Sequence, residues 1–463
     1  MWPSSYLLTL FLLLNVVGCA VLQPTDPYAP VFHPRSFLSS SPAKTPEPMK
    51  PDVAGEPLTL DRCIEVALAN NPELAATGRE VSASGFRVDQ ARAQRWPSVS
   101  AESGYSRFLD PQRLVQARFN GEPGLFDENL GRTDFTIRMP LFTGGRIINE
   151  IAAAELVRQA EENRLARTGE ELVFNVSSFF YAILGERKVI QSLEFSVGAM
   201  EEHLKRVNAL LAAQKAARVD LLRTEVRLAD LRQSLVKEQN VLALQKRVLA
   251  GLMGLDYDTE RFGVEGKLTF EEVSLDAGVL TAEALDDRPD YLAARSRLEA
   301  QARRVDVARA GHLPTVSVVA NYGLRTDLSE HDEDTGNVGV AATFPLFEGG
   351  RVMARVEEER ANLAAAQERL RKLELQIRQE VETAVLEVRS SSERVRALAK
   401  AIDQGRESLR IERQKYDLGL GSITDVLDAQ SALLQAETNT YRAMADFRLA
   451  LARLDLATGK KRL

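Results

Sequence analysis

Apolar residues follow two periods along this chain, and each period predicts a different secondary structure. Four segments alternate apolar and polar residues with a period of two, which is typical of strands: 98–108, 132–141, 315–325 and 337–347. The alternation is weakest in the first of these segments. In 132–141, Thr133, Phe135, Ile137, Met139 and Leu141 share one face, and the opposite face carries Arg132, Asp134, Thr136 and Arg138. We therefore expect four strands with one apolar and one polar face.

Longer segments repeat apolar residues every three and four positions, the heptad pattern of helices that pack as coiled coils. One pattern begins at Leu172 and lapses once, at Glu186, and another recurs every seven residues from Val388. They predict two helices of roughly 65 residues, on the order of 100 Å long at 1.5 Å per residue. We expect the chain to reverse after each helix, near 214–218 and near 419–422.

The two halves of the chain repeat one plan. Residues 70–100 align with 287–317, and PLFTGG at 140–145 is matched by PLFEGG at 345–350. The paired glycines supply flexible backbone where a strand becomes a long helix: Gly144, Gly145, Gly349 and Gly350. We divide the chain into a first repeat (58–256), a linker (257–280), a second repeat (281–456) and a tail (457–463).

The predicted strands have the length at which a tilted strand crosses a bilayer. The alternative is a soluble antiparallel sheet, but the flanking helices are too long and too poor in spare apolar surface to cover it. Four strands cannot close a barrel, and an open edge in hydrocarbon leaves backbone groups unpaired. The protein must therefore oligomerise, and the sequence permits eight, twelve or sixteen strands from two, three or four copies.

The N-terminus predicts export. Residues 1–18 have the layout of a signal peptide, and Val16 to Cys19 resembles a bacterial lipobox, in which the cysteine thiol is acylated. Ordinary cleavage at the same small residues is the alternative. Residues 19–57 form a Pro-rich leader, and if Cys19 is lipidated only Cys63 is left, so no intrachain disulfide can form.

Composition and motifs exclude several classes of function. The net charge of -7 provides no basic block for nucleic acid. No HExxH, CxxC, phosphate loop or nucleophile elbow is present, so we expect no catalytic residues, no cofactor and no metal. His331 with the acidic residues 332–334 is a possible cation site, but a polar extracellular loop is the simpler interpretation.

Three features together identify a family resemblance. They are the helix starts NPEL and RPDY, the junctions PLFTGGR and PLFEGGR, and the stretch YDLGLGSITDVLDAQ at 416–430. With these, residues 58–456 resemble the TolC family of outer-membrane efflux and secretion channels. The resemblance implies a mixed membrane α+β fold: a homotrimer whose twelve transmembrane strands form one barrel continuous with a coiled-coil helical tunnel in the periplasm.

The resemblance also implies a function. Such a protein is a passive exit channel in the outer membrane of a Gram-negative bacterium, for efflux or type I secretion. It contacts outer-membrane lipid and docks onto an inner-membrane pump through a periplasmic adaptor protein. The lipobox is similar to that of the lipid-anchored drug-efflux branch, which favours small molecules as cargo.

Functional residues carry over by position. Tyr416 matches the family tyrosine that hydrogen-bonds an aspartate, held here by Asp220, in the periplasmic gate. Asp425 and Asp428 match paired acidic residues that form rings at the pore entrance. They share a helix face, and such rings favour cations, although a solvated face or an N-cap would also explain them. A constricting arginine of the family is replaced by Gly421, and Arg218 or Arg223 could compensate; the polar face of 132–138 would line the barrel lumen.

Two other functions compete with the channel. A periplasmic coiled-coil scaffold or pump adaptor would have no pore, but it would not need a duplicated strand-to-helix junction. A small-molecule porin lacks long helices. We therefore expect the exit channel.

Overall fold

The computed structural model describes residues 57–113, 121, 126–255, 263–326 and 332–460. The predicted signal peptide, Cys19 and nearly all of the Pro-rich leader lie outside these residues, as do His331 and residues 461–463. None of the described helices combines the length and the apolar character needed to cross a membrane.

The two repeats have the same order of elements. The first contains helices α1 (Leu60–Asn70) and α2 (Pro72–Ala93), strands β1 (Ser98–Arg113) and β2 (Phe126–Phe142), and helices α3 (Arg146–Ala212) and α4 (Arg218–Leu252). The second contains α5 (Ala277–Asp287), α6 (Pro289–Arg309), β3 (Thr315–Thr326), β4 (Asp332–Thr343), α7 (Arg351–Leu398), α8 (Ala401–Asp417) and α9 (Ile423–Thr458). The predicted duplicated fold of strand pairs and long helices is therefore confirmed.

The sequence predicted a continuous second long helix, but the structure shows it interrupted. After Leu398 the chain makes a short turn at Ala399 and Lys400 and resumes as α8. The Ala399 N–H donates to the Arg396 carbonyl at 3.2 Å, one residue closer along the chain than an α-helical bond. No glycine or proline marks this break, so helix propensity could not predict it.

The strands also differ from the prediction at their ends. β1 and β2 extend into the expected loop between residues 109 and 131, and β4 runs from 332 to 343 rather than from 337 to 347. β4 ends where its pairing with β3 ends, at the Thr315–Thr343 pair. Pro314 precedes that pair and has no N–H to donate, so the ladder stops there.

The four strands form one antiparallel sheet in the order β1-β2-β3-β4. Phe135 on β2 lies opposite Ala101 on β1 and Tyr322 on β3. Within this chain β1 and β4 are the edges of the sheet as described, each paired on one side.

Helix α3 is the main packing element, because α1, α2, α4, α6 and α9 all contact it. Val176, Phe180 and Ile183 of α3 form a buried cluster with Cys63 and Val66 of α1. A second cluster surrounds Phe447 of α9 and includes Ile377 and Val381 of α7. Each large apolar side chain buried in this way contributes about 1.5–3 kcal/mol.

The glycine pairs turn each strand into its helix. Gly144 and Gly145 have φ of 63° and 83°, and Gly349 and Gly350 have φ of 60° and 83°. These left-handed conformations are strained for any residue with a side chain. The glycine pairs therefore adopt the same turn at both junctions, and the second glycine of each pair is the N-cap of the long helix that follows.

Candidate functional site

The predicted lumen residues of β2 lie on one face of the sheet, within a polar network that crosses the strands. Thr136 Oγ1 donates to Asn321 Oδ1 at 3.0 Å, and Asn321 Nδ2 donates to Asn337 Oδ1 at 3.2 Å. Because Ser100 is the partner of Thr136 on β1, this row of polar residues spans all four strands.

Charged residues continue the same face. Asp134 accepts from Arg325 Nη2 at 2.6 Å, and Arg132 pairs with Glu102 at 3.4 Å. Gly323 lies opposite Asp134, and a Cβ there would lie 2.5 Å from Asp134 Oδ1. The missing side chain at Gly323 therefore makes room for the Asp134–Arg325 pair. Arg138 is on this face, opposite Ser98, and is exposed.

The opposite face of the sheet is apolar and open. Val338 and Val340 of β4 are 78% and 68% exposed, and Tyr322 of β3 is 47% exposed. The Arg325 side chain on the polar face is only 21% exposed. A soluble sheet buries its apolar face, whereas here that face is exposed. This arrangement is the one expected of strands that face lipid on one side and a polar lumen on the other.

Asp220 and Asp425 occupy equivalent positions at the two helix turns. Each is the third residue of its helix, and its Oδ2 accepts from the backbone N–H of the N-cap: Ala217 at 3.3 Å and Ser422 at 3.2 Å. Both carboxylates thus close the first turn of a helix, α4 or α9, where a negative charge is favoured. Asp428 lies one turn further along α9 and is exposed, like Asp425.

Tyr416 lies at the end of α8 and packs on α3. Its ring centroid is 5.6 Å from that of His203, at an interplanar angle of 57°. Burial raises the pKa of Tyr416, and the nearby charges of Asp220 and Asp417 raise it further. The predicted hydrogen bond from Tyr416 to Asp220 is not among the hydrogen bonds of the described residues in this single chain, so the lock between them stays a prediction.

Arginine side chains join the repeats near the turns. Arg206 on α3 binds both carboxylate oxygens of Asp417, at 3.1 and 3.0 Å. Arg223 on α4 donates to Thr424 Oγ1 on α9 at 3.1 Å, and Arg227, one turn further, donates to Ser431 Oγ. The sequence predicts Arg223 as a compensating residue, but it does not single out Arg206 or Arg227, because their partners lie about two hundred residues away and no local pattern connects them.

His203 lies near the charges of Arg413, Arg206 and Asp417. It is buried on α3, and its Nε2 is enclosed without a hydrogen-bond partner among the described residues. Burial lowers the pKa of His203, as do the charges of Arg413 and Arg206, while Asp417 opposes them. The neutral imidazole is therefore the form that this contact between α3 and α8 favours.

No metal-binding cluster is found among the residues that the structure describes: no three His, Cys, Asp or Glu side chains are grouped to hold an ion.

Comparisons with known proteins agree with this geometry. The sequence model of the outer membrane efflux protein family matches residues 63–255 and 280–460. The chain is 20% identical over 406 residues to outer membrane protein TolC of Vibrio cholerae, covering 85% of this chain and 89% of that protein. It is 24% identical over 454 residues to the pyoverdine export outer membrane protein OpmQ of Pseudomonas putida, covering 94% and 93%.

Solved structures of similar fold include crystal structures of CusC and of the outer membrane protein VceC of Vibrio cholerae. The first has a TM-score of 0.76 at 19% identity, covering 87% of this chain and 92% of that one. The second has a TM-score of 0.72 at 20% identity, covering 86% and 96%. At these identities the likeness establishes the fold.

Proposed function

The chain belongs to the outer membrane efflux protein family, and from this membership we propose how its copies build a pore, a gate and a docking surface. The protein is an outer-membrane exit channel of an efflux system, with its helical part in the periplasm, and it is not an enzyme. TolC-family channels are trimeric and work with an adaptor and an inner-membrane pump. The assembly, gate residues, partners and cargo of this chain are proposals.

The observation that carries the proposal is the polarity of the sheet. Its apolar face is exposed, its polar face is tied together by Asp134, Arg325 and the Thr136–Asn321–Asn337 row, and β1 and β4 are open edges. In hydrocarbon each unpaired backbone group costs several kcal/mol. We propose that β4 of one copy pairs with β1 of the next, so that three copies close a twelve-strand barrel with Arg132, Asp134, Thr136 and Arg138 in its lumen.

The duplicated junctions support the same contact between copies. In the first junction Leu313, which follows α6, packs against Gly144: a Cβ on that glycine would lie 2.6 Å from Leu313 Cβ. Around the second junction, no atom of the described residues lies within 4 Å of the Cβ position of Gly349. Trp96 aligns with Leu313 and is 73% exposed. We propose that Trp96 of one copy covers Gly349 of its neighbour, as Leu313 covers Gly144 within the chain.

The gate is proposed at the two helix turns. Around a threefold axis Asp425 and Asp428 would form two acidic rings at the pore entrance, which favour cations. Tyr416 and Asp220, together with the Arg206–Asp417 and Arg223–Thr424 contacts, would hold the turns of the two repeats together in the closed state. Opening then requires these contacts to break.

The turns also offer a docking surface for the adaptor. Leu418 and Leu420, next to the glycine of the α8–α9 turn, are 74% and 78% exposed. Exposed apolar residues at a turn are suited to contact with a partner protein. The names of relatives include toluene efflux and antibiotic efflux pump proteins of Pseudomonas putida. With the proposed lipidation of Cys19, these names favour small molecules as the cargo of this chain.

Single-channel conductance in planar bilayers tests the pore. The protein is compared with the double variant Asp425→Asn, Asp428→Asn, and with Glu357→Gln, Glu358→Gln on α7 as a charge-matched control away from the turns. We expect a small, cation-selective conductance that loses selectivity in the first variant and keeps it in the second. Protein that stays soluble without detergent and gives no conductance would instead indicate the periplasmic scaffold.

A further inference from the structure

A cavity lies where α1, α3 and the end of α9 meet, away from the turns and the sheet. Its volume is about 210 Å³, and its walls are largely apolar, from Leu68, Val173, Phe174 and Leu456. An apolar cavity of about 150 Å³ is large enough for a benzene ring. This space therefore has room for one aromatic ring and a short substituent.

Small residues of the long helix create this space. Gly169 is in the middle of α3, where glycine costs about 1 kcal/mol relative to alanine. Its φ is not positive, and among the described residues the nearest neighbour of a Cβ there would be Leu74, at 3.9 Å. Neither the backbone nor the packing of the chain requires glycine at this position. Its effect in this structure is to widen the cavity.

One wall carries an incompletely bonded carboxylate. Glu170 lines the cavity, and its side chain is 12% exposed. One oxygen, Oε2, accepts from Arg167 at 3.3 Å, whereas Oε1 is enclosed with no hydrogen-bond partner among the described residues. A buried carboxylate with one oxygen that lacks a donor is incompletely compensated, and a positive charge in the cavity would stabilise it. Burial raises the pKa of Glu170, and Arg167 opposes that shift.

The charges around the cavity favour a cation. Among the described residues that line it, two are acidic, Glu170 and Asp455, and one is basic, Lys460. Lys460 is paired with Glu283, and Arg167, next to Glu170, is bound to Glu170, Glu171 and the Leu456 carbonyl. The lining thus carries more acidic than basic groups, and the Phe174 ring, which Arg453 faces at 6.0 Å, is a further surface that attracts cations.

From these features we propose that the cavity binds a small aromatic ammonium ion, with its ring among the apolar side chains and its ammonium group on Glu170. The site would be separate from the acidic residues of the pore entrance, because its lining includes neither Asp425 nor Asp428.

Binding of phenethylammonium to the detergent-solubilised oligomer, measured by isothermal titration calorimetry, tests this site. The neutral phenethyl alcohol and the anionic phenylpropionate serve as ligands of matched shape. We expect the ammonium ion to bind at least about tenfold more tightly than the alcohol, as a charge-assisted hydrogen bond provides, and the anion not to bind.

Three variants make the result specific. Glu170→Gln should weaken phenethylammonium binding about tenfold or more, and Gly169→Leu should abolish it by filling the space. Glu171→Gln is the matched control, because Glu171 also pairs with Arg167 but does not line the cavity. Circular dichroism checks that each variant is folded. Equal affinity for the ammonium ion and the alcohol, or equal effects of Glu170→Gln and Glu171→Gln, would overturn the proposal.

Discussion

Arg206 on α3 binds both oxygens of Asp417 on α8, at 3.1 and 3.0 Å, and so joins the first repeat to the second beside the helix turns. Both side chains are about half exposed, so the pair contributes little to global stability. The pair instead matters for the position of α8. The residue before Asp417 is Tyr416, which packs on His203 of α3, so the ion pair and the ring contact together hold the end of α8 against α3.

Asp417→Asn should therefore favour the open channel. We expect a rise in single-channel conductance or open probability of about two- to fivefold, equivalent to about 0.4–1 kcal/mol, and little change in melting temperature. Glu201→Gln is the matched control, because the Arg232–Glu201 pair has similar exposure but joins α3 to α4 within one repeat. An equal rise in that control would show that the contact between repeats has no special role.

Glu186 leads to a prediction about pH. It is buried in α3, shares a hydrogen bond with Glu238 of α4, and lies near Arg442 of α9. Burial, and next the bond and charge of Glu238, raise the pKa of Glu186 to about 7, above the value of about 4.3 in an unfolded chain. Because the folded state holds the proton more tightly, the stabilisation is complete below the unfolded pKa and is lost as pH rises through about 7.

Glu186→Gln removes this dependence, since glutamine is neutral at every pH. At pH 8 the variant should be more stable than the parent by about 1–3 kcal/mol, and near pH 5 the advantage should disappear. Melting temperatures across that range measure the difference. Glu194→Gln, at an exposed site on the same helix, should show no such trend. A constant difference between parent and Glu186→Gln at all pH values would contradict the assignment.

The equivalent turns before α2 and α6 differ chemically, which allows a test of stability. Asn71 Nδ2 donates to the Leu252 carbonyl at 2.9 Å, and Arg288 Nη1 donates to the Ala457 carbonyl at 3.1 Å. Each bond satisfies a backbone carbonyl at the C-terminal end of a helix, α4 or α9. Arg288 also pairs with Asp290 and Glu380, at 2.7 and 2.6 Å, and its side chain is only 2% exposed.

Arg288→Met should cost about 3–5 kcal/mol, because it leaves the partly buried Asp290 without its cation. Burial alone would raise the pKa of Asp290, but the hydrogen bond and charge of Arg288 lower it overall. Part of the parent's stability is therefore lost as pH falls through that lowered pKa, and this loss should be absent in the variant. Arg453→Ala, which breaks an exposed pair with Glu387, should cost at most about 1 kcal/mol by the same thermal measurement.

The sequence predicted the features that repeat with a regular period. Period-two alternation located all four strands and the faces of β2, and the glycine pairs located both junctions. The lapse at Glu186 was visible, but its partner Glu238 is on another helix, and no local pattern connects them. The same limit applies to Arg206 with Asp417 and to Arg227 with Ser431, whose partners are about two hundred residues apart.

Strand ends and short helices were harder to predict for a different reason. The pairing partner, not the alternation, determines where β4 ends, and α1 and α5 are short helices held by contacts with α3 and α7. The break between α7 and α8 lies beside the segment before α5, where Arg389 donates to the Leu275 carbonyl at 2.8 Å and Arg396 pairs with Glu272. These tertiary contacts have no signature in local composition.

The two strand-to-helix junctions provide the last prediction, because truncation of the aligned side chains Leu313 and Trp96 to alanine should act differently in each. Leu313→Ala removes a contact with Gly144 inside the chain, and because Leu313 is 46% exposed it should lower the stability of the folded chain by about 1 kcal/mol. In the part of the chain that the structure describes, neither Trp96 nor any other side chain covers Gly349, and Trp96 is mostly exposed. If it covers that glycine of the next copy, Trp96→Ala should weaken the oligomer while the secondary structure of each chain stays intact.

Native mass spectrometry in detergent, with circular dichroism on the same samples, separates these effects. We expect Trp96→Ala to increase the monomer fraction at low protein concentration with an unchanged helical signal. The reason is that loss of an aromatic anchor at an interface costs about 2 kcal/mol of association free energy. Phe195→Ala, which truncates an exposed aromatic residue of α3, is the control and should leave the oligomer unchanged. A Trp96→Ala protein that dissociates no more than the control would place Trp96 outside the interface and leave Gly349 to be covered by another residue.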